Sequence, residues 1–220
     1  MPLCWGMESR STTSRPKPRL RGWSHVIGAI GFVPAVVLLV MHARDGVGWA
    51  ALVYGASLLM LLTASAAYHT PWWSKAIRAR FRLVDHAMIY LLIAGSYTPL
   101  CVALGGMVES VMLPGVWIAA FLGMLKTFLW PYAPRWFSTA VYVAFGWVSV
   151  PLVSDLVTVL GTTAVTYIGV GGIIYTVGAV IYARKWPNPN PRIFGYHEIF
   201  HVMVVVASAF HYAAMWIAVG

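Results

Sequence analysis

Three short stretches carry residue types whose spacing suits metal chemistry. "GYHEIFH" at 195–201 sets His197 and His201 four residues apart, one helical turn from each other on a shared face. Two imidazoles in that relation suit a divalent cation. "SAAYH" at 65–69 offers His69 as a third neutral nitrogen donor. Three histidines leave a fourth tetrahedral position for water, the open arrangement of a catalytic zinc site. Asp85, in "LVDHAMIY", would hold that water and accept its proton. Ser65, one turn before His69, would hydrogen-bond a ligand or the substrate.

Glu198 makes the same stretch an H-E-x-x-H pattern, which in zinc proteases pairs two histidine ligands with a glutamate base. The longer H-E-x-x-H-x-x-G-x-x-H pattern is not met by Met203, Val204 and His211. Glu198 also points about 100° away from the face that His197 and His201 share. The protease reading is therefore the weakest of those considered.

Other histidines fit the cluster less well. His211 shares the His197 face but lies ~21 Å further along a helix rising 1.5 Å per residue. His25 falls near the same level as the cluster, and His86 is turned about 100° from Asp85 around its helix. Packing roles are assigned to all three.

The elements that must hold these residues are set by composition. Of 220 residues, 60% are hydrophobic and 10% charged, against about 25% charged in ordinary globular chains. Too little volume exists to bury so much apolar surface, so lipid is the solvent for most of the chain. Seven apolar stretches can be marked, at about 24–42, 47–69, 83–104, 110–130, 137–155, 163–183 and 195–219. Each approaches the roughly 20 residues that a helix needs to cross the hydrocarbon, and none alternates as barrel strands do. The expected fold is all-α, an integral membrane protein of seven transmembrane helices.

Charge orients it. Of the 15 lysines and arginines, 14 fall in the N-terminal tail or in alternate connections on one side, and only Arg44 falls on the other. The positive-inside rule puts that basic side, and the N-terminus, in the cytoplasm and the C-terminus outside. The same distribution, short basic bursts between apolar runs, argues against nucleic acid as the partner of a chain with net charge +9. Residues 1–22 read as a basic, disordered cytoplasmic tail and 23–220 as one membrane domain. Cys4 and Cys101 do not form a disulfide framework. On this topology His69, Asp85, His197 and His201 all reach the cytoplasmic leaflet, and ionisable groups within a membrane are costly enough to imply function.

"SAAYH" (65–69), "RLVDHAMIYLLIAGSYTP" (82–99) and "FGYHEIFHVMVVVASAFHYAAM" (194–215), with weaker support from "SHVIGAIG" (24–31), resemble the hemolysin III branch of the progestin and adipoQ receptor (PAQR) family, bacterial type. The resemblance covers about residues 24–217. It implies a seven-helix protein, N-terminus inside, in a bacterial plasma (inner) membrane. Zinc would be held by His69, His197 and His201, with Asp85 on the zinc-bound water and Ser65 nearby. The Glu-x-x-Asn element that often precedes the first-span histidine is missing, and Arg21 stands where the asparagine is expected, four residues before His25.

Three functions follow from that resemblance. The first is zinc-dependent hydrolysis of a lipid-like amide or ester, ceramidase-like, with Asp85 as the base. The second is a non-enzymatic membrane-homeostasis or signalling protein whose zinc staples helices. The third is a pore-forming haemolysin, although no ring of charged residues is visible in the spans. Membrane lipid is the expected partner in the first.

Overall fold

A computed structural model describes residues 17–220. The tail expected over 1–22 therefore lies largely outside the described residues. Its last part, 17–22, runs along the end of the bundle. Arg19 and Leu20 donate their amides to the carbonyls of Arg192 (3.0 Å) and Ile193 (3.2 Å). Lys17 donates to Thr70 O at 2.8 Å and to Pro71 O at 3.1 Å.

Among the described residues the chain is all helical and contains no strand. The helices are α1 (Trp23–His42), α2 (Gly48–His69), α3 (Lys75–Leu104), α4 (Leu113–Leu129), α5 (Arg135–Gly146), α6 (Val153–Arg184) and α7 (Tyr196–Val219). A π-helical turn (Val108–Met112) leads into α4 and a 3-10 turn (Val150–Leu152) into α6. Six helical stretches are long and apolar enough to cross a membrane. Five of them correspond to the first four and the last of the expected spans.

The sixth stretch, Arg135–Arg184, is 50 residues long, far more than the roughly 20 of one crossing. It is not a single rod. Gly161 breaks it with φ 79° and ψ 166°, a conformation open essentially to glycine alone. Two contacts give the direction of its limbs. The Arg135 guanidinium lies over the Tyr182 ring, 4.8 Å from its centroid, and Trp147 Nε1 donates to Thr176 Oγ1 at 2.9 Å. Residues 135 to 147 thus run beside 182 to 176 in the opposite sense. The limb before Gly161 is itself interrupted at residues 147–152, where Pro151 lacks the amide that a continuous helix needs.

α3 begins at Lys75, eight residues ahead of the span expected at 83, because "KAIRARFR" is built of good helix formers and Ser74 caps it, accepting the Ile77 amide at 3.4 Å. α1 buries His25, Gly28, Phe32, Val36 and Leu39 along one stripe and leaves Ile27, Ile30, Val37 and Met41 exposed. Such a helix suits a position with lipid on its outer face. Close approach relies on small residues: Gly28 meets Val205 of α7, Gly55 meets Val36 of α1, and Gly95 meets Ser57 of α2. α1 packs on α2 and α7, α2 on α3, α3 on α4, and α6 on α7, with α3 also touching α5, α6 and α7. This arrangement brings the C-terminal end of α2 beside the N-terminal end of α7.

Candidate metal centre

His69 is the last residue of α2, and His197 and His201 occupy the first two turns of α7. The start of α7 is well determined by hydrogen bonds. Glu198 Oε2 accepts the Gly195 amide at 2.8 Å, Asn188 Oδ1 accepts that of Tyr196 at 3.2 Å, and Asn190 pairs with Phe194 as an isolated bridge. The end of α2 is reached by Gly22, at φ 86°, where a Cβ would come within 2.8 Å of both His69 Cβ and Thr70 Oγ1. A side chain there would push the tail off the histidine.

The three imidazoles converge. One ligand atom from each lies within 4.8 Å of the others, and the Nε2 atoms of His69 and His197 are 3.2 Å apart. Ring centroids are separated by 4.7 Å for His69–His197, 4.8 Å for His69–His201 and 4.6 Å for His197–His201, with interplanar angles of 69°, 64° and 61°. The rings are set like blades around a common point. Two nitrogens bound to one tetrahedral zinc at about 2.0–2.1 Å stand roughly 3.3 Å apart, so the His69–His197 spacing fits a metal. His69 and His201 are buried, and His197 is partly open.

Asp85 Oδ2 lies 3.7 Å from His69 Nε2 and 3.8 Å from His86 Nδ1. Its side chain keeps 16% exposure, because it faces a cavity of about 610 Å³ that His69, His197, His201 and Ser65 also line. Ser65 is buried at 2% exposure. The residues singled out by spacing therefore meet on one cavity wall: His69, His197 and His201 as a cluster, with Asp85 and Ser65 beside it.

The remaining histidines divide. His25 stacks face to face on His201, centroids 4.0 Å apart and planes 9° from parallel, and neither of its ring nitrogens has a hydrogen-bond partner. That contact escaped sequence reasoning, since nothing local links α1 to α7. His86 Nδ1 bonds to the Arg82 carbonyl at 2.7 Å. His211, further along α7, lies edge-on to Tyr175 at 5.3 Å and lines the same cavity.

Glu198 is placed elsewhere. Its carboxylate pairs with the Arg21 guanidinium and caps α7 through Gly195, at 2% exposure. Arg21 holds the position where the family's asparagine was expected, and its partner explains the basic residue there.

Comparison with known proteins settles the family. The sequence model described as "Haemolysin-III related" matches residues 13–212. The chain belongs to this family. It is similar to the hemolysin-3 of Bacillus cereus, 32% identical over 191 residues that cover 84% of each chain. The hemolysin-3 homolog of Bacillus subtilis (strain 168) is 31% identical over 191 residues, 84% of this chain and 86% of that one. The human monocyte to macrophage differentiation factor is 28% identical over 193 residues, 84% of this chain and 78% of its own. The resemblance to the hemolysin III branch of the PAQR family is thereby borne out, and the chain is a multi-pass membrane protein.

Proposed function

We propose that this hemolysin III family member is a zinc-dependent hydrolase of a lipid-like amide or ester. It would sit in a bacterial inner membrane with seven crossings and its N-terminus in the cytoplasm. The observation that carries the reading is one wall. Three convergent histidines and Asp85, 3.7 Å from His69 Nε2, line a cavity of about 610 Å³, large enough for an acyl chain. The antiparallel limbs on either side of Gly161 support two crossings within Arg135–Arg184, and with the other five helices they make seven.

His69, His197 and His201 would hold the metal, which when bound polarises a carbonyl and brings a water's pKa to near 7. Asp85 takes a proton from water and returns it to the leaving nitrogen or oxygen. Ser65 orients the polar linkage beside His69, and Ile89, Ile93 and Val204 of the cavity lining accept apolar chain. Glu198 has no part in this chemistry, since Arg21 and the Gly195 amide already occupy its carboxylate.

A structural staple is the second reading, supported by the cluster joining α2 to α7 while burying two of its three histidines. One experiment separates them. Purified wild type and Asp85→Asn are assayed side by side for hydrolysis of long-chain N-acyl amides, with metal content measured by elemental analysis. The hydrolase reading expects turnover in wild type that falls ~10²–10⁴-fold in Asp85→Asn, the usual worth of a general base, at unchanged metal content. Full metal without turnover on any lipid amide or ester sinks it and leaves the staple.

A further inference from the structure

The cavity has a cation that neither a carboxylate nor the hydrolytic chemistry engages. Arg135, the first residue of α5, lines it. Its Nη1 is sealed from solvent and has no hydrogen-bond partner among the described residues. No carboxylate there pairs with it either: Glu198 is taken by Arg21, and Asp85 stands beside His69 and His86. Because Nη1 is covered by protein, a ligand in the cavity would meet the other N–H groups of this guanidinium.

The guanidinium lies over Tyr182 at 4.8 Å, and the Tyr182 ring is edge-on to His197 at 5.4 Å. One aromatic ring thus separates the open charge from the histidine cluster. Three more cations line the same cavity without an acidic partner, the exposed Arg78 and the half-buried Lys126 and Arg82. Lys126 Nζ donates to Ser138 Oγ at 2.8 Å, and Arg82 Nη2 makes a long bond, 3.4 Å, to the Pro131 carbonyl. The positive-inside bias accounts for exposed arginines such as Arg80, which water satisfies. It does not account for half-buried cations from three helices lining one cavity with no carboxylate to pair them.

We propose that Arg135, with Lys126 and Arg82, binds the phosphate of an anionic lipid headgroup, so that the substrate class is a phosphate-bearing lipid whose acyl linkage reaches the histidine cluster. Three cations on three helices suit a group with up to two negative charges and several acceptor oxygens. The planar fork of an arginine meets phosphate in a bidentate fashion. A single carboxylate would leave most of these donors idle. The word "substrate" rests on the hydrolase reading; the headgroup site does not.

The test reads binding, not turnover. Full-length chain in an uncharged detergent is titrated with dioctanoyl phosphatidate, dioctanoylglycerol, octanoate and inorganic phosphate, using thermophoresis to obtain Kd. Wild type is expected to prefer phosphatidate over dioctanoylglycerol by at least about tenfold, roughly one good charge-assisted interaction. Arg135→Gln is expected to bring the two within about twofold. Arg135→Lys, which keeps charge and loses the fork, falls between. Arg44→Gln, at the opposite end of the bundle, keeps the wild-type preference. Should Arg135→Gln not fold, Arg135→Lys and Lys126→Gln carry the comparison.

Equal affinity for phosphatidate and dioctanoylglycerol in wild type overturns the proposal. So does inorganic phosphate or octanoate binding as tightly as phosphatidate, the first marking a free-phosphate site and the second a carboxylate site. A chain that prefers phosphatidate yet hydrolyses no lipid overturns the hydrolase reading alone. One that hydrolyses neutral amides without any headgroup preference overturns this proposal alone.

Discussion

Arg21 and Glu198, 177 residues apart in sequence, form an ion pair in which the carboxylate also caps the helix that carries His197 and His201. The pair fastens the segment before α1 onto the first turn of α7 and sets the histidine pair at a fixed depth beside His69. Lys17, in the same segment and outside the spans, is held below the ordinary lysine pKa by burial and then by the neighbouring Arg78 and Arg21 charges. The glutamate of the H-E-x-x-H pattern is thus an anchor for the helix.

Removing Arg21 tests that role. Arg21→Ala strands a carboxylate of 2% exposure, and breaking a buried pair from one side costs about 3–5 kcal/mol. The expected outcome is a clear fall in unfolding midpoint in detergent. Glu198→Gln should lower it less and leave the metal content intact. A Glu198→Gln protein of wild-type stability whose turnover has vanished would return the glutamate to the role of base.

Metal binding is tested by composition. Wild-type chain purified without chelators should carry about one zinc, and His197→Ala combined with His201→Ala should carry none, because a single remaining imidazole falls short of the three protein ligands that such a site needs. Elemental analysis decides it. Zinc retained in the double variant would place the ion elsewhere.

His25 is expected to act through His201. Its ring lies 4.0 Å from that of His201 and nearly parallel, so it sets the plane of a proposed ligand. His25→Ala should weaken zinc affinity by about 10–100-fold, as loss of a ligand's supporting partner does, whereas His25→Phe, which keeps a flat ring, should retain most of it. Competition with a zinc-sensitive dye measures both. Equal loss in the two variants would make His25 a ligand.

Packing at α3–α4 gives a stability prediction independent of the site. A Cβ at Gly123 would run into the Tyr90 ring, which is almost wholly buried at 1% exposure. Gly123→Ala should cost about 1–3 kcal/mol, the usual penalty of overpacking, read as a lowered thermal midpoint. An unchanged midpoint would mean that Tyr90 has room to turn.

Much of this molecule was legible before any tertiary contact was known. Apolar runs of bilayer length specify helices and their solvent, because backbone groups in lipid must bond within the segment. The four-residue step between His197 and His201 makes them neighbours by helical geometry alone. Where the local signal was mixed the reading blurred. The stretches expected as the fifth and sixth spans fall in one run, Arg135–Arg184, broken at Gly161, and the helix of the third begins eight residues early, since "KAIRARFR" favours helix without being apolar. Lateral contacts between distant helices were a different matter. The 3.2 Å approach of His69 to His197, the stack of His25 on His201, the capture of Glu198 by Arg21 and the seat of Arg135 over Tyr182 depend on which helix faces join. Periodicity determines what each helix offers on its own surface; only packing in three dimensions decides which surface answers it.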